Sequence, residues 1–210
     1  MVSKRTFDLL LAVPLLAAAV PVMAMAIAVA RVLGDRGPVL HRAVRIGEGG
    51  RAFEVLKLRT MRVGDAGPRV TGRDDPRITP FGRVARRFKV DELPQLVNVV
   101  RGEMSIVGPR PEDPSYVDWD DPQHNEVFRA RPGITGVAQL RYVREAELLV
   151  GDDVERTYRT EILPDKVALD RWYLRHQSRR LDARIVLATA LRMLGGPTPQ
   201  IGPWISSPPR

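Results

Sequence analysis

The run Leu9-Leu-Leu-Ala-Val-Pro14-Leu-Leu-Ala-Ala-Ala-Val-Pro21-Val-Met-Ala-Met-Ala-Ile-Ala-Val-Ala30 carries no ionisable group over 22 residues. Lys4, Arg5 and Asp8 precede it and Arg31 follows. At about 1.5 Å per residue, a straight helix of that length reaches across the ~30 Å hydrocarbon core of a bilayer. A secretory signal shares the basic start and apolar middle. This run is longer than the apolar part of such signals, and it passes into Arg31-Val-Leu-Gly34 with no clear cleavage site. Pro14 and Pro21 each lack a backbone donor and crowd the carbonyl four residues back, so the carbonyls of Leu10 and Ala17 need other partners. Cations flank both ends, Lys4 and Arg5 before and Arg31 and Arg36 after, and the positive-inside tendency would keep both ends in the cytoplasm. Eight of the 22 residues are alanine, so the run is only modestly hydrophobic. These features favour a re-entrant helix–break–helix that enters one leaflet and returns; a Pro-kinked single span is the alternative.

The remainder of the composition narrows the chemistry. A length of 210 residues suits one domain, two at most. Lys and Arg number 33 against 25 Asp and Glu, a net charge of +8 that favours an anionic partner: nucleic acid, an anionic membrane surface or a phosphorylated substrate. There is no cysteine, which removes disulfides, thiolate zinc sites and Cys nucleophiles. His41, His124 and His176 are scattered too widely for a histidine metal cluster or a serine triad to assemble readily. No aromatic-interleaved basic platform and no reading helix appears, so nucleic acid is not expected as a partner.

Past Gly37-Pro38 the pattern becomes alternating. Val39–Ile46 and Ala52–Leu58 flank Gly47-Glu-Gly-Gly-Arg51 and read as a β-hairpin; the glycines lack the Lys-Ser/Thr ending of a phosphate loop. A polar, Gly/Pro-punctuated loop spans 62–80, and a basic helix spans Phe81–Lys89. Asp91-Glu-Leu-Pro-Gln-Leu-Val-Asn-Val-Val100 reads as a helix capped by Asp91, with Leu93, Leu96, Val97 and Val100 on its apolar face. Gly108-Pro-Arg-Pro111 is a constrained loop, Arg131–Gly136 a turn, and Val137–Val143 a short strand. Glu155–Gln177 and Leu181–Leu194 read as helices, the second apolar on one face and suited to core or membrane surface. The fold class expected is α+β. Residues 1–36 form the membrane hairpin, 37–194 a small mixed cytosolic domain with interfacial amphipathic helices, and 195–210, with five prolines, a tail.

The densest chemistry lies between Arg77 and Arg110. Arg77, Arg83, Arg86, Arg87 and Lys89 precede the adjacent acids Asp91 and Glu92, and Arg110 follows between two prolines. A helix start favours anions, arginines grip phosphate oxygens in pairs, and an ionised carboxylate there can attack phosphorus. Hard oxygen ligands beside a diphosphate also suit Mg²⁺. A helix cap beside a solvated or headgroup-facing arginine run accounts for the same spacing, and on spacing alone that structural reading is the preferred one.

Val90-Asp-Glu-Leu-Pro-Gln-Leu-Val-Asn-Val-Val-Arg-Gly-Glu-Met-Ser-Ile-Val-Gly-Pro-Arg-Pro111 closely resembles the signature of the bacterial sugar transferase family, the monotopic polyprenyl-phosphate phosphoglycosyl transferases. Lys4-Arg-Thr-Phe-Asp8, Lys57-Leu-Arg-Thr-Met61, Asp75-Pro-Arg-Ile-Thr79, Arg131-Pro-Gly-Ile-Thr-Gly-Val-Ala-Gln139 and Leu181-Asp-Ala-Arg-Ile-Val186 extend the likeness to about Leu194, in what looks like the minimal catalytic form. The resemblance implies an enzyme of the inner membrane's cytoplasmic face. It would transfer a sugar 1-phosphate from a UDP-sugar to undecaprenyl phosphate, release UMP, require Mg²⁺, and initiate exopolysaccharide, O-antigen or glycoprotein glycan synthesis. By the same resemblance Asp91 is the nucleophile and touches the metal. Glu92 is its dyad partner, Arg86 and Arg110 bind phosphate, and Lys57 and Arg59 stand near the site. Pro21 occupies the family's membrane-helix break, with Val20 where relatives carry serine. Membrane lipid is an implied partner and a homodimer a compatible assembly. A non-catalytic scaffold of the same fold and a membrane-tethered nucleic-acid-binding protein are the competing readings.

Overall fold

A computed structural model describes residues 3–35, 37–64, 67, 69–72, 75–150, 153–196 and 201. The apolar run forms helix α1 (Lys4–Val32), 29 residues and about 43 Å long. Ser3 caps it, accepting the Thr6 N–H at 3.1 Å. The break expected at Pro21 is absent: the helix runs through both prolines without interruption. Each proline removes one intrahelical bond, and the long helical stretches on either side keep the helix continuous through them.

One stripe of α1 docks along the rest of the protein. Ala12 and Ala19 are buried in the main core, with Leu11, Leu16 and Met23 packed beside them. Farther along, Ala26, Ile27 and Ala30 pack on Leu58, Phe81 and Ala85. The small side chains let the helix approach closely, while Leu10, Val13, Val20, Met25, Val29 and Val32 are exposed. Both ends are pinned by polar contacts. Asp8 accepts from Ser105 Oγ (2.8 Å) and the Ile106 N–H (3.0 Å). Arg5 donates to the carbonyls of Val99 and Val100, and Lys4 to that of Val107 and to Asp182. At the far end Arg31 donates to the carbonyls of Asp35 and Gly37, and Asp35 is ion-paired with Arg59.

The expected hairpin is present. Strands β1 (Leu40–Ile46) and β2 (Ala52–Leu58) pair antiparallel from Leu40↔Leu58 to Ile46↔Ala52. Gly49 and Gly50 supply the positive φ of the connection. Helix α2 (Pro80–Arg87) is capped by Thr79 and sits so close to the segment after β2 that a Cβ on Gly82 would lie 2.1 Å from the Thr60 carbonyl oxygen. A 3₁₀ turn (Val90–Glu92) leads into α3 (Gln95–Arg101).

Two strands that spacing alone did not yield, β3 (Ser105–Val107) and β4 (Gly133–Thr135), pair in parallel through Ser105↔Gly133 and Val107↔Thr135. Between them lies the short helix α4 (Pro122–Val127). The strand expected at 137–143 is instead helical over α5 (Val137–Arg141): β4 has already taken the ladder on β3, and Val137, Ala138 and Leu140 bury a helical face. After α6 (Glu145–Leu148), the expected long helix appears as α7 (Val154–Thr157), a π turn (Tyr158–Ile162) and α8 (Leu163–His176). Helix α9 (Arg179–Met193) packs Leu181, Ile185 and Ala188 into the core. Of the expected tail, Gly195, Gly196 and Ile201 are described, with Ile201 buried in the main core; the rest lies outside the described residues.

Candidate active site

The capping role expected for Asp91 is not what the fold uses. Asp91 sits inside the 3₁₀ turn, α3 begins four residues later, and neither element has a side-chain cap at its start. Pro94 contributes to this: without an N–H it cannot donate a capping bond to Asp91, and its ring presets the first turn. The Asp91 side chain is left buried, with Oδ1 lacking any hydrogen-bond partner. Burial and the neighbouring Glu92 push its carboxyl above the usual range, against the pull of Lys57, Lys89 and Arg86.

Glu92 has the opposite balance. Burial works against its charge, but Lys57, Lys89 and Arg110 outweigh it and hold the carboxyl down at about 2. Its Oε1 lies 3.4 Å from Lys57 Nζ and 3.9 Å from Lys89 Nζ. Two adjacent acids thus stand in contrasted states, one poised and one firmly ionised. Lys89 reaches Glu92 from a left-handed backbone (φ 56°), the one positive φ outside glycine among the described residues. Such a conformation costs a non-glycine residue of order 1 kcal/mol and persists only where the surroundings enforce it.

Several elements deliver the cations. Lys57 stands near the end of β2, and Asn98 on α3 fixes that strand against the helix that follows the dyad. Asn98 Oδ1 accepts the Leu56 N–H (3.0 Å), and its Nδ2 donates to the Glu54 carbonyl and to Glu103 (2.7 Å each). Its amide mimics a neighbouring strand for β2. Arg86 comes from the last turn of α2, its Nε donating to Thr60 Oγ1 at 2.9 Å. Arg110 comes from the Pro109–Pro111 loop; burial opposes its charge, but Glu92, Glu145 and Glu112 hold it more firmly protonated than usual. Four cations therefore act on Asp91 and Glu92, a setting in which arginine and lysine side chains stand ready for an incoming diphosphate.

Of the residues expected at the site, Lys57, Arg86, Asp91, Glu92 and Arg110 interact electrostatically as one cluster. Arg59 is committed elsewhere, to Asp35 at the end of α1, under a Gly37 whose Cβ would strike its guanidinium. Thr60 and Asn98 were missed. Asn98 had a signal, an amide beside the Leu-rich face of a helix; Thr60 had none, because its role arises only when α2 folds onto it. No three His, Asp or Glu side chains gather as a cation site among the described residues. Asp91 offers one carboxylate with a free oxygen, while Glu92 is occupied by lysines, so Mg²⁺ fits here only as an ion shared between Asp91 and substrate phosphates.

This architecture belongs to a known class. Residues 1–196 match the model of the bacterial sugar transferase family, and the chain belongs to that family. Over 196 residues it is 39% identical to a UDP-glucose:undecaprenyl-phosphate glucose-1-phosphate transferase of Caulobacter vibrioides, covering 91% of this chain and 69% of that protein. It is 42% identical over 202 residues to an undecaprenyl-phosphate glucose phosphotransferase of Komagataeibacter xylinus, covering 91% of this chain and 36% of the relative. A UDP-N-acetylgalactosamine-undecaprenyl-phosphate N-acetylgalactosaminephosphotransferase of Aeromonas hydrophila is 36% identical over 198 residues, 92% of this chain and 44% of its own length. The chain thus spans less than half of the latter two relatives.

Proposed function

We propose that this chain moves a sugar 1-phosphate from a UDP-sugar to undecaprenyl phosphate in two steps. In the first, the Asp91 carboxylate attacks the sugar-bearing phosphorus; the Asp91 O–P bond forms, the bridging P–O bond breaks, and UMP leaves with that oxygen. In the second, an oxygen of undecaprenyl phosphate attacks the same phosphorus, and the Asp91 O–P bond breaks to restore the carboxylate. The relatives' names support the donor and acceptor classes. Glucose in two of them and N-acetylgalactosamine in the third leave the sugar a property of the pocket.

The reading is carried by one observation: a buried carboxyl with an unpartnered oxygen that caps no helix, set among cations. As a nucleophile Asp91 must be ionised; phosphate-bound Mg²⁺ held by Asp91 would supply the positive charge that favours that form. Arg86 and Arg110 would bind and orient the phosphates. Glu92, held at about 2, is too weak a base to serve chiefly as a proton acceptor and acts instead by aiming Lys57 and Lys89. Arg59 would contribute at one remove, by fixing the end of β2 to α1.

α1 is the one helix long and apolar enough to cross a bilayer among the described residues. Both its ends dock on the same body, which supports an arrangement in which its exposed apolar face enters one leaflet and both ends stay on the cytoplasmic side. Incubating the full chain with UDP-sugars labelled in the sugar tests the chemistry. Label should become covalently bound to wild type and not to Asp91→Asn; equal labelling of the two would refute the nucleophile.

A further inference from the structure

Behind the phosphate loop lies a buried acid that the transfer steps above do not use. Asp170, on α8, is 4% exposed; its Oδ1 has no hydrogen-bond partner, and its Oδ2 accepts the Arg110 N–H at 3.2 Å. Pro109 and Pro111 have no N–H, so Arg110 carries the only backbone donor of the three residues, and Asp170 takes it. The remaining tethers of the loop are distributed around it. Gly108 donates to the Thr135 carbonyl (3.0 Å), the Pro109 carbonyl accepts from Gly133 (2.8 Å), and the Glu112 carbonyl accepts from Ile46 (2.9 Å). The Glu112 side chain accepts from Tyr158 OH at 2.8 Å, in the π turn that precedes α8. The backbone of Arg110 itself is held by Asp170.

We infer that Asp170 is a positioning residue of the transfer reaction: it fixes Arg110 in the Pro109–Pro111 loop so that the guanidinium meets phosphate beside the Asp91–Glu92 dyad. The inference rests on the reading of Arg110 as a phosphate ligand. A leucine would fill this place with no buried, unsatisfied oxygen, so packing alone does not call for an acid here. Lys166, one turn earlier on α8, does not neutralise it by contact, since its ammonium is 2.6 Å from Glu145. Burial pushes the Asp170 carboxyl up to about 8, with Glu112 adding to the rise, so near neutral pH the group is largely protonated. A neutral carboxyl still presents a carbonyl oxygen to the Arg110 N–H. The function therefore requires an acceptor in this place rather than a charge, and asparagine should substitute for it.

The test uses the full chain in lipid nanodiscs, with UDP as the binding probe and UMP release from a UDP-sugar as the turnover assay. Asp170→Ala should weaken UDP binding about tenfold and raise KM more than it lowers kcat, while Asp170→Asn should stay within about threefold of wild type on both. In an Arg110→Ala background, Asp170→Ala should bring no further loss of UDP affinity, because its effect runs through Arg110. Wild-type affinity in a folded Asp170→Ala variant, or additive losses in the double variant, would overturn the inference. So would a folded Asp170→Asn protein that falls tenfold, a result that decides the matter even if the alanine variant does not fold. A wild type that binds UDP and transfers no sugar phosphate would instead defeat the transferase reading and leave the loop result standing. A wild type that binds no UDP would defeat both.

Discussion

Replacing Asp182 with alanine tests whether α1 is a lipid-held appendage or a part of the folded body. Asp182 is completely buried at the start of α9, where three elements converge on it. Lys4 of α1 lies 3.1 Å from Oδ2, Arg179 approaches the same oxygen at 2.5 Å, and Tyr173 of α8 donates to Oδ1 at 2.7 Å. Removing one member of a buried ion pair costs about 3–5 kcal/mol, because the partners are left desolvated and unpaired. Here the partners have alternatives. Lys4 retains the Val107 carbonyl at 2.8 Å, Tyr173 retains the same carbonyl at 3.3 Å, and the Arg179 side chain is 30% exposed and can turn to water. The loss should therefore fall at the low end, about 3 kcal/mol, which for a chain of this size is a fall in Tm of roughly 6–12 °C. Lys4→Met should cost less, about 1 kcal/mol, because Asp182 then keeps Arg179 and Tyr173. Thermal melting of both variants in nanodiscs, followed by near-ultraviolet dichroism, measures the difference. An Asp182→Ala protein that melts within about 2 °C of wild type would show that the helix is held by lipid rather than by this contact.

Lys89→Gly should leave stability unchanged or raise it by up to about 1 kcal/mol, since glycine takes the left-handed conformation freely. Its kcat/KM should nevertheless fall, because Glu92 loses one of its two lysines; an unchanged kcat/KM would remove Lys89 from the site. Stability should also respond to pH through Asp170, whose folded pKa of about 8 lies far above that of an unfolded aspartate. Between those values the unfolded chain has released a proton that the native state keeps, so the Asp170 contribution is full below about pH 4 and is lost as pH rises to about 8. Arg110, Lys166 and Glu112 set that value with it. Asp91 contributes with the same sign, whereas Glu92 loses its contribution as pH falls from about 4.5 towards 2. Asp170→Asn should flatten the slope between pH 5 and 8 in denaturant titrations, and an identical slope in the variant would refute the assignment.

Reading the chain in order recovered what depends on near neighbours. The hairpin is legible because the side chains of β1 and β2 alternate and the residues between them include two glycines that take positive φ. The dyad is legible as a pair of acids after a cationic run, yet its setting is not: Asp91 reads as a cap until the fold shows α3 starting beyond Pro94. The misassignment at 137–143 has a related cause. Val137, Ala138 and Leu140 suit a short strand or one buried helical face equally well, and the choice is made by the remote pairing of β4 with β3. Asp170 and Thr60 could not be chosen from sequence, since each acts on a residue 60 and 26 positions away respectively. Continuity of α1 through Pro14 and Pro21 was missed for a different reason. Local chemistry counts the two lost hydrogen bonds, whereas the fold adds a docked stripe from Ala12 to Ala30 that supports helical structure on both sides of the prolines.

That docking gives β2 a particular burden. Its Lys57 meets Glu92 of the dyad, the next residue, Leu58, packs on Ala26, Ile27 and Ala30 of α1, and Arg59 is paired with Asp35 just past the helix's end. Three consecutive residues therefore join the Asp91–Glu92 pair to the apolar helix. In a small body of close-packed elements, a displacement of α1 along the membrane normal would carry Lys57 with it. Under the proposed function, the depth of the helix in lipid and the height of Asp91 and Glu92 above the acyl chains become one geometric variable, which would suit a reaction whose acceptor phosphate is confined to the headgroup layer. On that reading Arg59 would act on the site at one remove, through its pairing with Asp35.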